Sequence, residues 1–149
     1  MENVFFLGSN TSTLELIKNK AKKEFPNVHV SYYSPPYVAE FSESDSAKML
    51  DEINRFKPDV LFVGMTAPKQ EKWSYAHLNK IYSGHICNIG AVFDFYAGNI
   101  KRAPQWMIKL GFEWLYRLIM EPMRLWRRYI LGNIKFIYYI YVEKLQSFS

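Results

Sequence analysis

A single cysteine, Cys87, stands in the chain, so no disulfide can close within it. That count suits a reducing compartment, with Cys87 expected as a small buried strand residue. Glycine is scarce too. "LGSNTST" at residues 7–13 holds one, and neither a G-x-G-x-x-G fingerprint nor a Walker-type loop occurs anywhere. His29, His77 and His85 fall at no metal-ligand spacing, and Cys87 adds none, so neither a metal nor a cofactor is expected. No nucleophile elbow or triad pattern is present. Long apolar runs are absent as well. The nearest, residues 129–142, is shorter than the ~20 residues of a membrane span and carries Lys135. The opening "MENVFFLGSN" lacks a basic start and a long apolar run, which predicts no secretory signal.

What is plentiful is apolar and aromatic surface. The 149 residues are 49% hydrophobic, with 11 Tyr, 11 Phe and 4 Trp, ample for one core. Charge is unevenly placed. Residues 1–99 hold 10 Lys/Arg against 11 Asp/Glu, whereas residues 100–149 hold 9 against 3. The basic character therefore belongs to the last third, which points to an anionic partner there: phosphate, a lipid headgroup surface or nucleic acid.

Apolar patterning divides the chain in the same place. "NVFFLG" (3–8), "VHVSYY" (28–33), "DVLFVG" (59–64) and "HICNIG" (85–90) read as strands. The unbroken apolar character of the third suits a parallel strand covered on both faces. Between them, helical spacing predicts helices over 12–24, about 42–55 and 68–81. Ser12 with Glu15, and Ser42 with Asp45, read as capping boxes, and Pro68 as a helix opener. The order β-α-β-α-β-α-β predicts an α/β fold, with a Rossmann-like parallel sheet of about four strands and flanking helices over residues 1–99. Residues 100–149 read as several short helices, a basic and aromatic appendage bent at Gly111 and Gly132 and punctuated by Pro104 and Pro122. Trp106, Leu110, Trp114 and Leu118 recur every four residues and are expected to pack. That spacing also argues against single-stranded nucleic acid stacking on the tryptophans, so no nucleic-acid partner is expected.

In an open parallel sheet, ligands bind outside the carboxyl ends of the strands. "GMTAPKQE", residues 64–71, occupies such an end, and a helix starting there offers amides to an anion. Gln70 presents donor and acceptor together, and Glu71 can accept a hydroxyl or cap its own helix. A solvated first turn is the structural alternative. "GAVFDFYAGNIKRAP", residues 90–104, should reach the same edge. Asp94 there sits among Phe93, Phe95 and Tyr96, either capping a turn or serving chemistry.

"PDVLFVGMTAPKQEKW", followed by "GAVFDFYAGNIKRAPQWMIKLGFEWLYRLIMEPMRLWRRY", closely resembles the WecG/TagA/CpsF family of bacterial glycosyltransferases. The resemblance covers nearly the whole chain and matches the second half of the family's longer proteins. It implies inverting, metal-independent transfer of an N-acetylaminosugar, of the N-acetylmannosamine type, from a UDP-sugar. The implied acceptor is a polyprenyl-diphosphate-linked sugar at the cytoplasmic face of the membrane, where the protein would be peripheral. Products would feed teichoic acid or other cell-surface polysaccharide. The resemblance further implies Gln70, Arg117, Arg124, Arg127 and Arg128 as catalytic residues. Gly8, Gly64, Thr66, Pro68, Lys69, Glu71, Gly90, Asp94 and Arg102 are implied as the substrate pocket. With no metal, arginines would hold the departing diphosphate, and the basic appendage would favour an anionic bilayer. The family's proposed general-base aspartate lies in a segment with no counterpart in these residues. A separate subunit supplying that half, or a homo-oligomer, is the partner this suggests.

Overall fold

The computed structural model describes residues 2–100, 103–120, 122–126, 132, 136, 139 and 140. Two compact units divide the chain, Met1–Lys101 and Arg102–Ser149.

The first unit is a four-stranded parallel sheet in the order β2-β1-β3-β4, comprising β1 (Glu2–Gly8), β2 (Val28–Tyr33), β3 (Val60–Gly64) and β4 (His85–Asn88). Gly8 registers with Gly64 across the central pair, and Phe6 registers with Tyr32 on one side and Phe62 on the other. Successive side chains of β1 alternate between two apolar layers. Phe5 and Leu7 join Met49, Ile53, Leu61, Val63, Trp73 and Ile81 on one face. Phe6 joins Leu14, Ile17, Ala21, Val30 and Phe93 on the other. Thus α2 (Glu43–Phe56) and α3 (Lys69–Ala76) cover one face, while α1 (Thr11–Glu24) and the short α4 (Val92–Ala97) lie on the opposite one. Each fully buried Leu or Ile contributes roughly 1.5–3 kcal/mol, so these two layers are the main source of stability.

Several expectations shift in detail. The α1 cap is Asn10, whose Oδ1 accepts from the Thr13 amide at 2.8 Å and from the Ser12 hydroxyl at 2.6 Å. Ser12 is therefore inside the cap, and Glu15 accepts instead from the Tyr32 hydroxyl at 3.4 Å. Ser42 and Asp45 do form a reciprocal capping box on α2. Helix α2 ends at Lys57 in the left-handed region, φ 52°. Asp59 precedes β3 and its Oδ2 accepts from the Asn3 amide at 2.7 Å. The helix expected over 68–81 stops at Ala76 and gives way to a 3₁₀ turn, Leu78–Lys80. Asn54 of α2 provides the reason. Its Nδ2 donates to Lys80 O and its Oδ1 accepts from the Tyr82 amide, both at 2.8 Å, so those backbone groups are satisfied outside a helix. Strand β4 ends at Asn88 rather than Gly90. It is an edge strand, so Cys87 is half-buried rather than buried.

The second unit contains α5 (Gln105–Lys109), α6 (Glu113–Met120) and α7 (Pro122–Trp126). The four-residue stripe of Trp106, Leu110 and Trp114 does not form one face. The chain breaks at Leu110–Phe112, with Gly111 at φ 76°, and those three side chains are largely exposed. No helix among the described residues is long and apolar enough to cross a membrane.

Candidate functional site

The strand order reverses direction at β1: the chain leaves β1 toward β2 on one side, and β3 leads to β4 on the other. That switch point opens a crevice outside the carboxyl ends of β1 and β3, where doubly wound sheets bind ligands. Gly8 and Gly64 form its floor. A Cβ on Gly8 would lie 2.3 Å from Gly64 O, and one on Gly64 would lie 2.4 Å from the Phe93 ring. Gly8 also has φ 122°, open only to glycine. Both positions exist because backbone and ring must approach this closely. Ser9 follows at φ 54° and donates its amide to Gly64 O at 3.2 Å, closing the β1 loop over the strand pair.

Helix α1 starts at this crevice. Asn10 satisfies the Thr13 amide through Oδ1 and the Leu14 amide through its carbonyl. The Thr11 and Ser12 amides precede the first intrahelical donor and carry the partial positive charge of the helix start. No acidic side chain lies in this first turn. Ser9 and Asn10 were not among the sequence candidates. The signal that reveals them is a Ser/Asn pair directly after a strand-ending glycine.

The start of α3 differs from expectation. The Lys69 and Gln70 amides both donate to Thr66 O, at 2.8 and 3.3 Å, so they are not open to an anion. Pro68 stands at the N-cap and gives no side-chain cap. Lys69 points its ammonium to the 34–41 loop, where it donates to Val38 O and sits 3.5 Å from the Phe41 ring centroid. Burial lowers its pKa, with Asp45 opposing.

Gln70 is 4% exposed. Its Oε1 accepts from the Met65 and Gly90 amides, each at 3.1 Å, and its Nε2 donates to Glu71 Oε1 at 2.7 Å. It therefore ties the end of β3, the start of α3 and the end of β4 together. Glu71 is exposed and lines a cavity of about 540 Å³ between α3 and β4, with Ser74, Tyr75, Ile86 and Asn88. Ser74 is buried there and donates to Asn88 Oδ1 at 2.8 Å.

Asp94 lies in the first turn of α4 and is half-buried. Its carbonyl accepts from the Asn99 and Ile100 amides, while its carboxylate has no hydrogen bond or ion pair among the described residues. Asn99 returns to α1, donating Nδ2 to the buried Thr13 Oγ1 at 2.8 Å. The 90–99 segment thus runs from the Gln70 clamp back to the α1 first turn. Gly8, Gly64, Thr66, Gln70, Gly90 and Asp94 come together at one sheet edge, and Lys69 and Glu71 face away from the crevice toward the loop and the cavity. Arg117 and Arg124 belong to α6 and α7, but their side chains, and Arg102, Arg127 and Arg128 entirely, lie outside the described residues. Among the described residues, no three His, Cys, Asp or Glu side chains gather to hold a metal.

Comparison with known proteins adds a family. Residues 1–149 match the model of the glycosyl transferase WecG/TagA/CpsF family. An N-acetylglucosaminyldiphosphoundecaprenol N-acetyl-beta-D-mannosaminyltransferase of Bacillus subtilis (strain 168) is 35% identical over 127 residues, covering 85% of this chain and 47% of the relative. A protein of the same name from Staphylococcus aureus (strain MW2) is 32% identical over 136 residues, covering 91% and 49%. The chain spans about half the length of the curated relatives it matches.

Proposed function

Because the chain belongs to the WecG/TagA/CpsF glycosyltransferase family, we propose that it forms the donor-binding part of an enzyme that moves an N-acetylaminosugar from a UDP-sugar to a polyprenyl-diphosphate-linked acceptor. The relatives are named for transfer of N-acetylmannosamine to an N-acetylglucosaminyl-diphosphoundecaprenol, and that chemistry is the reading adopted for this site. Teichoic acid or a related surface polysaccharide would receive the product.

One observation carries the reading. Two stretches of sequence about twenty residues apart, around Gly64–Gln70 and around Gly90–Asp94, converge at the switch point of the sheet and are locked there by Gln70. In this reading the donor diphosphate lies against the Thr11 and Ser12 amides in the crevice over Gly8 and Gly64. Their N–H groups and the helix start stabilise negative charge. The Asp94 carboxylate accepts a sugar hydroxyl. Gln70 acts as a positioning residue, since its oxygen is committed to two amides. Arg117, Arg124, Arg127 and Arg128 provide the cations that meet charge developing on the departing UDP, with inversion at the anomeric carbon. The basic second unit favours the anionic membrane surface where a polyprenyl acceptor resides.

Calorimetric titration of UDP tests the reading. Binding by the chain, weakened in Asp94→Asn only when the sugar is attached to UDP, is the expected pattern. Absence of UDP binding, with or without a companion polypeptide, overturns it. The half-length span favours a second form of the same idea: a subunit that binds the donor and needs a partner for turnover. Sugar transfer to a lipid-diphosphate acceptor by the chain alone would remove that form.

A further inference from the structure

A parallel sheet is normally covered on both faces. In the first unit the two faces are treated differently. The face built on Phe5, Leu7, Leu61 and Val63 carries α2 and α3 across its width. The other face carries α1 on the β1–β2 side, and α4, six residues long, after β4.

Between these two helices an apolar hollow of about 340 Å³ remains, lined by residues including Val4, Phe6, Phe25, Val28, Phe62 and Tyr96. The strand register shows how it arises. Val4, Val60 and His85 form one cross-strand row on this face, and Phe6, Phe62 and Cys87 form the next. Val4, Val60, Phe62 and Cys87 are only half-buried. The rim is apolar too, with Phe25 54% exposed and Val92 49% exposed. The crossovers supply no helix here, because α2 and α3 both pass on the opposite face.

We propose that this hollow is the docking surface for polypeptide that supplies the part of the family fold which this chain does not span, whether carried in the same or a separate chain. Two facts select that occupant. The relatives are about twice the length of the stretch matched here, so the family fold contains a comparable mass of additional polypeptide. And the hollow requires an apolar, layer-forming cover of the kind a helix of the same fold provides, since no charged side chain lines it to recruit an anionic ligand or lipid headgroup. The proposal rests on family membership and on the sheet, not on the donor reading.

The test pairs the full chain with the stretch of the B. subtilis relative that it does not match. Co-expression should yield a complex, with Tyr75→Glu, on the other face, binding like wild type. Phe25→Glu and Val92→Glu, both at exposed rim positions, should weaken it by about tenfold or more while circular dichroism stays unchanged. A single-chain fusion gives a readout that does not depend on the partner folding alone. In a Cys87→Ser background, a Val92→Cys thiol should be labelled at least about tenfold more slowly in the fusion than in the isolated chain. Equal labelling rates, equal binding by all variants, or rim variants that abolish only self-association of this chain would overturn the proposal. UDP is absent throughout, so either result leaves the donor reading to its own titration.

Discussion

The Gln70 carboxamide oxygen accepts the Gly90 amide at 3.1 Å, twenty residues further along the chain, and so fixes the end of β4 to the start of α3. The same oxygen holds the Met65 amide. Removing it in Gln70→Ala strands two backbone donors beside a buried site. The expected loss is about 2–4 kcal/mol in urea unfolding, accompanied by weaker UDP binding. Weaker binding with unchanged stability would instead assign Gln70 to direct ligand contact.

Asn10→Asp separates capping from ligand binding. Aspartate caps a helix as well as asparagine, so the melting temperature should hold within about 2 °C. A new carboxylate at the crevice should repel a diphosphate and reduce UDP affinity by about tenfold or more. Titration calorimetry on both proteins decides it, and equal affinities would place the diphosphate elsewhere.

Gly64→Ala drives a methyl into Phe93, which is 2% exposed and cannot withdraw to solvent. Destabilisation of roughly 1–3 kcal/mol is expected. Phe93→Leu in the same molecule should restore part of that loss, and a double-mutant cycle measures the coupling. Strict additivity would show that the ring is not the obstacle.

Tyr96 donates its hydroxyl to Glu24 Oε2 at 2.7 Å. Burial, with Glu24 adding, pushes its pKa from 10.0 up to about 12. The folded state therefore keeps the proton longer than the unfolded chain. The stability from this pair is fully present below about pH 10 and is lost as pH rises through about 12. Wild type should lose more stability than Tyr96→Phe across that window, read from parallel chemical unfolding curves, and parallel pH profiles would refute the assignment.

Arg124→Ala addresses the departing diphosphate. A transition-state role predicts a fall in kcat of about 10²–10³-fold with little change in KM, measured in whichever assembly shows transfer. An unchanged kcat would take Arg124 out of the chemistry.

The sheet was legible because each strand is a short apolar run between turn signals, and the α2 cap because Ser42 and Asp45 stand at the right spacing. What escaped depended on distant partners. The early end of α3 follows from Asn54 on another helix. Asn10 was hidden because Ser12 and Glu15 offered a plausible box two residues later. Lys69 reads as a phosphate ligand in sequence, yet Phe41 and Val38 claim its ammonium, and no local pattern announces that. The convergence of Gly64, Gln70, Gly90 and Asp94 was legible only as a shared strand edge. Gln70 as the clamp between two loops required coordinates.

The order β2-β1-β3-β4 has a kinetic consequence. The strand made first becomes an interior one, flanked by strands that follow it at residues 28 and 60. Every pairing is parallel, so none can zip from a local hairpin, and loop closure must precede each gain. On a ribosome, β1 would wait with both hydrogen-bonding edges open until β3 had emerged, and the Gly90 side of the ligand crevice would be completed last.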